Sequence, residues 1–211
     1  MEKRTVITIT EAYGSGGGEI GRELAARLSL PFYDGARLLE ISRGIPPFGE
    51  EDACYCKGER NALLYRLSTG VEDCLNSAPA MRLSDGELIL YRQIEAAKAV
   101  AVAGSCVLCL PCARYLLRGI SSRVDLFVCA SLRDRIRRVA EQEKITEAAA
   151  KKRLRAEGMR RKKLAALCTG KRRESPYTYF LSLNSSLLGI SGAFLTAEAA
   201  LKTAKDGQFS Q

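Results

Sequence analysis

Residues 11–21 read EAYGSGGGEIG. They follow a short β-like run, TVITIT (5–10), and lead into a helical stretch, EIGRELAARL (19–28). Consecutive glycines let a backbone take positive φ and approach a ligand closely. Their amides, with the N-terminus of the next helix, aim positive charge at an anion. The outline is that of a phosphate-binding loop. Such loops in the Walker form carry a lysine and a hydroxyl residue. Here the lysine place falls on Gly17, and the Ser/Thr place on Gly18 or Glu19. Taken alone, the stretch is either a phosphate loop or a strand-to-helix turn that needs glycine for its geometry.

The chain around it has 211 residues, 46% of them hydrophobic, which suits one packed domain with room for an insert. Net charge is +9, which favours anionic partners. There is no histidine, so His-based metal sites, Ser-His and Cys-His catalysis and a histidine base are excluded. No leader and no apolar run of about 20 residues is visible, so a cytoplasmic location with reduced thiols is expected for the eight cysteines, and no membrane span.

Strands are expected at 5–10, 31–34, 105–110, 123–129 and 179–184, with a helix over 18–28. Ser84 and Ser131 each open a capping box, starting helices near 85–100 and after 131. A long basic helix is expected over 146–167 and a short closing helix near 196–205. Residues 44–61 hold turn formers and charges and read as loop or insert. Continuously apolar strands alternating with helices mean a parallel sheet covered on both faces, a three-layer α/β domain.

Four stretches together resemble the cytidylate-kinase-like family, a branch of the P-loop nucleoside monophosphate kinases. They are ITITEAYGSGGGEIGRELAARLSLPFYD (7–34), GSCVLCLPCARYLLR (104–118), VDLFVCASLRDRIRRVAEQEKITEAAAKKRLR (124–155) and TGKRRESPYTYFLSLNSSLLGISGA (169–193). The resemblance runs from about residue 5 to about 195. It implies a five-stranded parallel sheet, one kinase-like domain over 1–205, a nucleotide-binding insert near 36–100, a basic lid near 143–175 and a tail at 206–211. It implies transfer of the γ-phosphoryl of Mg·ATP to a nucleoside monophosphate or a related small acceptor. Gly14, Ser15, Gly16, Gly17 and Gly18 would then hold the ATP phosphates. Arg135, Arg138 and Arg161 would line the lid side, and Asp34 would hold magnesium or the acceptor. No protein metal site is expected, and the partner is a nucleotide or small phosphorylated substrate.

Several family positions are altered. Arginines of the family pattern are replaced by Glu11, Gly18 and Pro111, an aspartate by Arg114, and another by Phe180. The family's D-K-x-R reads Gly158-Met159-Arg160-Arg161. Gly14–Gly17, Tyr13, Asp34, Arg135, Arg138, Arg161, Thr169-Gly170-Lys171 and Asn184-Ser185-Ser186 survive. Three lost cations at ~2 kcal/mol each would cost about 5 kcal/mol or more of transition-state stabilisation. Two readings therefore stand together: a working phosphotransferase, and a kinase fold that binds a nucleotide or other anion without efficient transfer.

Two other signals have plainer readings. Cys106-x-x-Cys109-x-x-Cys112 has ligand-like spacing. A strand would put Cys106 and Cys109 on opposite faces, however, and free cysteine is a common core residue. The basic segment 151–173 lacks the aromatic residues that stack on bases, so a lid or a solvated helix is expected rather than a nucleic-acid site.

Overall fold

A computed structural model describes residues 5–43, 85–117, 119–120, 123–169 and 176–206. The chain divides into two units, residues 1–34 with 100–211, and residues 35–99. Residues 44–61, the Ser84 capping box and Gly170-Lys171 lie outside the described residues.

In the first unit β1 is Val6–Glu11, β2 Phe32–Asp34, β3 Cys106–Cys109, β4 Arg123–Cys129 and β5 Leu181–Asn184. All pair in parallel, in the order β2-β3-β1-β4-β5. The chain runs from β1 outward to β2, returns to β3, and then crosses to β4 and β5. The direction of winding reverses between β1 and β3. Ligands in such sheets bind beyond the carboxyl ends of the strands, at that reversal. Those ends carry Glu11 and Cys109.

Helix α1, Gly17–Arg27, returns over one face of the sheet. Ile20 and Leu24 stand one turn apart on its inner side and pack with Ile7, Ile9, Val107, Val124 and Leu126. Leu24 is fully buried, and Leu24→Ala is expected to lower stability by about 3 kcal/mol, read from urea unfolding. In the second unit α2 is Gly35–Ser42 and α3 runs Asp85–Ala103, reaching the first unit at its end. The Gln93 amide donates to the Gly35 carbonyl at 2.7 Å, which joins the two helices. Short α4, Ala113–Leu116, follows β3.

Helix α5, Leu132–Glu143, starts as its capping box predicts. The Ser131 hydroxyl accepts the Asp134 amide at 3.1 Å. The other half of the box is replaced: the Ser131 amide donates to Ser186 Oγ at 2.8 Å. Hydrogen bonds from Ser186 and Ser131 hold the Asp134 carboxyl below the ordinary aspartate range. A group shifted down adds stability above its unfolded value, and that stability is lost as pH falls through the folded value. Asp134→Asn is therefore expected to lower Tm slightly at neutral pH, to match the natural protein at low pH, and so to flatten the acid limb of a Tm-versus-pH profile.

Lys144, with φ +54°, turns the chain into α6, Glu147–Thr169. Val139, Ala150 and Leu154 form a small core between α5 and α6, and Tyr13 of the glycine loop packs against it. The last helix, α7, spans Ser185–Asp206, with a break at Gly189. This corrects the short helix expected near 196–205. The Asn184 side chain accepts the Ser186 amide at 3.0 Å and so caps a helix that starts eleven residues before the expected one. Among the described residues no helix is long and apolar enough to cross a membrane.

Candidate functional site

The glycine loop leaves β1 and leans toward β4. The Ala12 amide donates to the Val128 carbonyl at 2.9 Å, and the Ser15 amide closes a turn onto Ala12 at 2.8 Å. Ser15 is buried, and its hydroxyl donates to Val128 O at 2.9 Å. Ser185 donates to the Ser15 carbonyl at 2.6 Å. Ser15 thus anchors the loop from beneath and offers no hydroxyl to a ligand.

Gly14 and Gly16 have φ of +80° and +84°. Gly16 is the N-cap of α1, and its carbonyl accepts the amides of Glu19 and Ile20, both at 3.1 Å. The amides of Gly16, Gly17 and Gly18 head the helix and have no intrahelical acceptor. They form a cluster of donors at the positive end of the helix dipole.

Three arginines close around this loop. Arg135 Nε donates to the Tyr13 carbonyl at 2.7 Å, and Arg138 Nη1 to the Gly14 carbonyl at 2.7 Å. Arg161 Nη1, from α6, donates to the Glu11 carbonyl. The Arg161 guanidinium also lies 5.4 Å from the centre of the Tyr13 ring. Burial pushes the Arg135 guanidinium down, and the charge of Arg161 adds to the effect while Glu11 opposes it. The sequence-expected arginines are therefore brought together, and they hold loop carbonyls on their own side.

Glu11 stands where the family pattern carries arginine. Its Oε1 lies 3.6 Å from Arg161 Nη2. A methyl group added at Gly17 would stand 2.8 Å from its Oε2, so the carboxylate lies against the start of α1. Arg161 Nε lies 3.7 Å from Glu157 Oε1 and is buried without a hydrogen-bond acceptor among the described residues. Glu157 and Arg161 are an i,i+4 pair, a spacing that was legible in the sequence but not singled out.

Asp34 ends β2 in register with Cys109 of β3, which is in register with Ile9 of β1. Residues in register share a sheet face, and Glu11 lies two residues beyond Ile9. Asp34, Cys109 and Glu11 therefore share the α1 face at the carboxyl ends. Burial pushes the Cys109 thiol up. Glu11 and Asp34 add to that, while Arg161 and Arg22 oppose it.

Two cations added by the sequence go elsewhere. Arg114 Nε lies 3.5 Å from Asp125 Oδ2. Asp125 also takes Arg123 and Thr8, both at 2.6 Å. Because Asp125 is in register with Thr8, this cluster lies on the face opposite Glu11. Arg160 bonds to Glu157 at 2.6 Å along its own helix and is largely exposed. Cys106, Cys109, Cys112 and Cys129 are not joined in disulfides, and the described residues contain no group of acidic, Cys or His side chains that could hold a metal ion.

A family model described as "Cytidylate kinase-like family" matches residues 6–187. The chain belongs to the cytidylate kinase-like family. No curated relative matches it. Among solved structures it is similar to an uncharacterized protein from Eubacterium ventriosum (18% identity, 95% of this chain and 99% of that one, TM-score 0.69). It is also similar to a shikimate kinase from Acinetobacter baumannii in complex with shikimate (12%, 98% and 97%, TM-score 0.55). A third is a sugar kinase from Janibacter (14%, 95% and 95%, TM-score 0.52). The fold is the three-layer P-loop kinase fold, a five-stranded parallel sheet with helices on both faces. Family and fold together support a phosphotransferase in general.

Proposed function

We propose that this protein moves the γ-phosphoryl group of Mg·ATP onto a small acceptor, a nucleoside monophosphate or a related compound, in the cytoplasm. One observation carries the reading: three guanidiniums from α5 and α6 each grip a carbonyl of the glycine loop. With its carbonyls held on that side, the loop keeps the amides of Gly16–Gly18 for an incoming phosphate. Phosphoryl transfer asks little covalent chemistry of a protein; position and positive charge do most of the work. In this reading the helix-head amides seat the β-phosphate of ATP. Arg135 and Arg138 stand beside it, and Arg161 faces the transferred group. Asp34 holds the acceptor or the magnesium. Residues 36–100 act as the acceptor-binding insert of the single domain, and 143–175 as the lid that keeps water out.

Magnesium usually arrives on nucleotide phosphates, keeping several waters and taking one or two carboxylates. Asp34 is the residue here that fits that role, since the Ser15 hydroxyl is committed to Val128 O. Bound magnesium would neutralise charge developing between the β- and γ-phosphates.

The second reading, a nucleotide or anion binder without efficient transfer, is favoured by the Glu11–Arg161 pair, which occupies one arginine of the site. An ADP-release assay over a panel of acceptors separates the two. Turnover above background supports transfer. ATP binding with no turnover on any acceptor supports the binder.

A further inference from the structure

The side chain of Tyr13 leaves the glycine loop and lies in the elbow between α5 and α6. Its ring packs against the core of Val139, Ala150 and Leu154. Its hydroxyl donates to Glu143 Oε1 at 2.6 Å, on the last residue of α5. Arg153, in the second turn of α6, has its Nε 3.6 Å from the same carboxylate oxygen. The Tyr13 carbonyl accepts Arg135 Nε at 2.7 Å. Just after it the loop is pressed onto α5: a Cβ at Gly14 would stand 2.9 Å from Val139 Cγ2 and 3.1 Å from the Arg135 carbonyl oxygen. The ring is therefore fixed through its backbone, its packing and its hydroxyl. Partial burial and the bond to Glu143 push the phenol up, with Arg153 opposing, so the hydroxyl stays protonated and keeps donating.

This fixed ring carries Arg161. The guanidinium carbon lies 5.4 Å from the ring centre, and the Arg161 side chain is largely buried. A guanidinium shielded from water is held over an aromatic face by the ring's quadrupole. That hold differs in kind from the ion pair with Glu11. A carboxylate neutralises the cation and takes its donors, whereas a ring attracts the cation without cancelling its charge. Arg161 can therefore leave the Glu11 carboxylate for a phosphate while it keeps its contact with Tyr13. The ring also meets α6 at Leu154, two turns before Arg161, so it fixes the height of the helix as well.

We propose that Tyr13 is a positioning residue that seats Arg161 for the terminal phosphate of the bound nucleotide. The ring is the seat, and the bond to Glu143 sets its angle. The inference rests on the nucleotide reading above and extends it to a side chain outside the amide cradle.

The test compares Tyr13→Phe, which keeps the ring, with Tyr13→Leu, which keeps an apolar side chain but has no aromatic face. Affinities of the full chain for Mg·AMP-PNP and Mg·ADP are measured by calorimetry, and kcat/KM for ATP by ADP release. A residue that seats Arg161 acts on the γ-phosphate, which AMP-PNP has and ADP lacks. In Tyr13→Leu the ratio of AMP-PNP to ADP affinity is expected to fall roughly tenfold, with ADP affinity within about twofold of the natural protein. The value of kcat/KM is expected to fall at least as far. In Tyr13→Phe the ratio is expected to fall about threefold or less, through loss of the Glu143 anchor. Equal losses in the two variants overturn the proposal. So does an equal weakening of both nucleotides, which a loop loosened as a whole would give. If Tyr13→Leu lowers Tm by more than about 8 °C, Tyr13→Met, a flexible filler without a ring, takes its place under the same criteria. Nucleotide binding without turnover counts against transfer alone, and the affinity ratio still decides the role of Tyr13. A natural protein that binds neither nucleotide overturns this assignment together with the reading it rests on.

Discussion

Arg161→Ala is expected to reduce kcat/KM for phosphoryl transfer by 100-fold or more, equivalent to about 2.7 kcal/mol. The residue joins α6 to the glycine loop through the Glu11 carbonyl, the Glu11 carboxylate and the Tyr13 ring. In the proposed transfer its loss removes a cation from the transition state, and it leaves Glu11 against Gly17 without its ion-pair partner. Both effects raise the barrier, because an unopposed carboxylate beside the loop repels the transferred group. Arg161→Lys is expected to recover only part of the rate. An ammonium cannot serve the carbonyl and the carboxylate with the geometry of a guanidinium fork. Arg160→Ala provides the contrast. Arg160 is exposed and bonds along its own helix to Glu157, so its loss is expected to change kcat/KM less than threefold. Equal losses from the two variants would show that net charge of the helix matters, and not the placement of Arg161. Steady-state kinetics on the two single variants make the distinction.

Gly16→Val is expected to abolish measurable ATP binding and to lower Tm by about 4–8 °C. At φ +84° a side chain costs about 1–2 kcal/mol, and a β-branched one more. A Cβ there would also collide with Ile190 of α7. For a chain of this size each kcal/mol is worth roughly 2–4 °C. The affinity loss has a separate cause. Gly16 heads α1, and turning its peptide redirects the amides that the proposed phosphate would meet. Gly158→Ala tests that the effect is local, because a methyl group there meets nothing within 4 Å. Its expected effect is a small gain in stability from helix propensity, with ATP affinity unchanged. ATP affinity retained in Gly16→Val would reduce the loop to a structural turn.

Much of the fold was legible because its signals are local. Six β-branched residues in TVITIT, the apolar spacing of Ile20 and Leu24, and Ser131 with Asp134 each set an element within a residue or two of its place. The final helix was expected to start eleven residues late, beyond Gly189. In the structure Gly189 is a break within one longer helix, started by the Asn184 cap.

The site was legible as a set of residues but not as a set of partners. Arg135, Arg138 and Arg161 could be named from the family resemblance. That each would hold a different loop carbonyl depends on how α5 and α6 fold back through Lys144. Pairing of Glu11 with Arg161 links positions 150 residues apart, and no local pattern encodes it. The direction of Arg114 was equally hidden. It depends on the register of Asp125 with Thr8, which places that carboxylate on the far face of the sheet.

The central claim is that the glycine loop and its three arginines form a phosphate cradle. A crystal structure of the chain with AMP-PNP and magnesium tests it most directly. The account predicts the β-phosphate within hydrogen-bond distance of the Gly16, Gly17 and Gly18 amides, with Arg161 turned from the Glu11 carboxylate toward the γ-phosphate. A nucleotide seated elsewhere, with the loop amides unengaged and the Glu11–Arg161 pair intact, would contradict it.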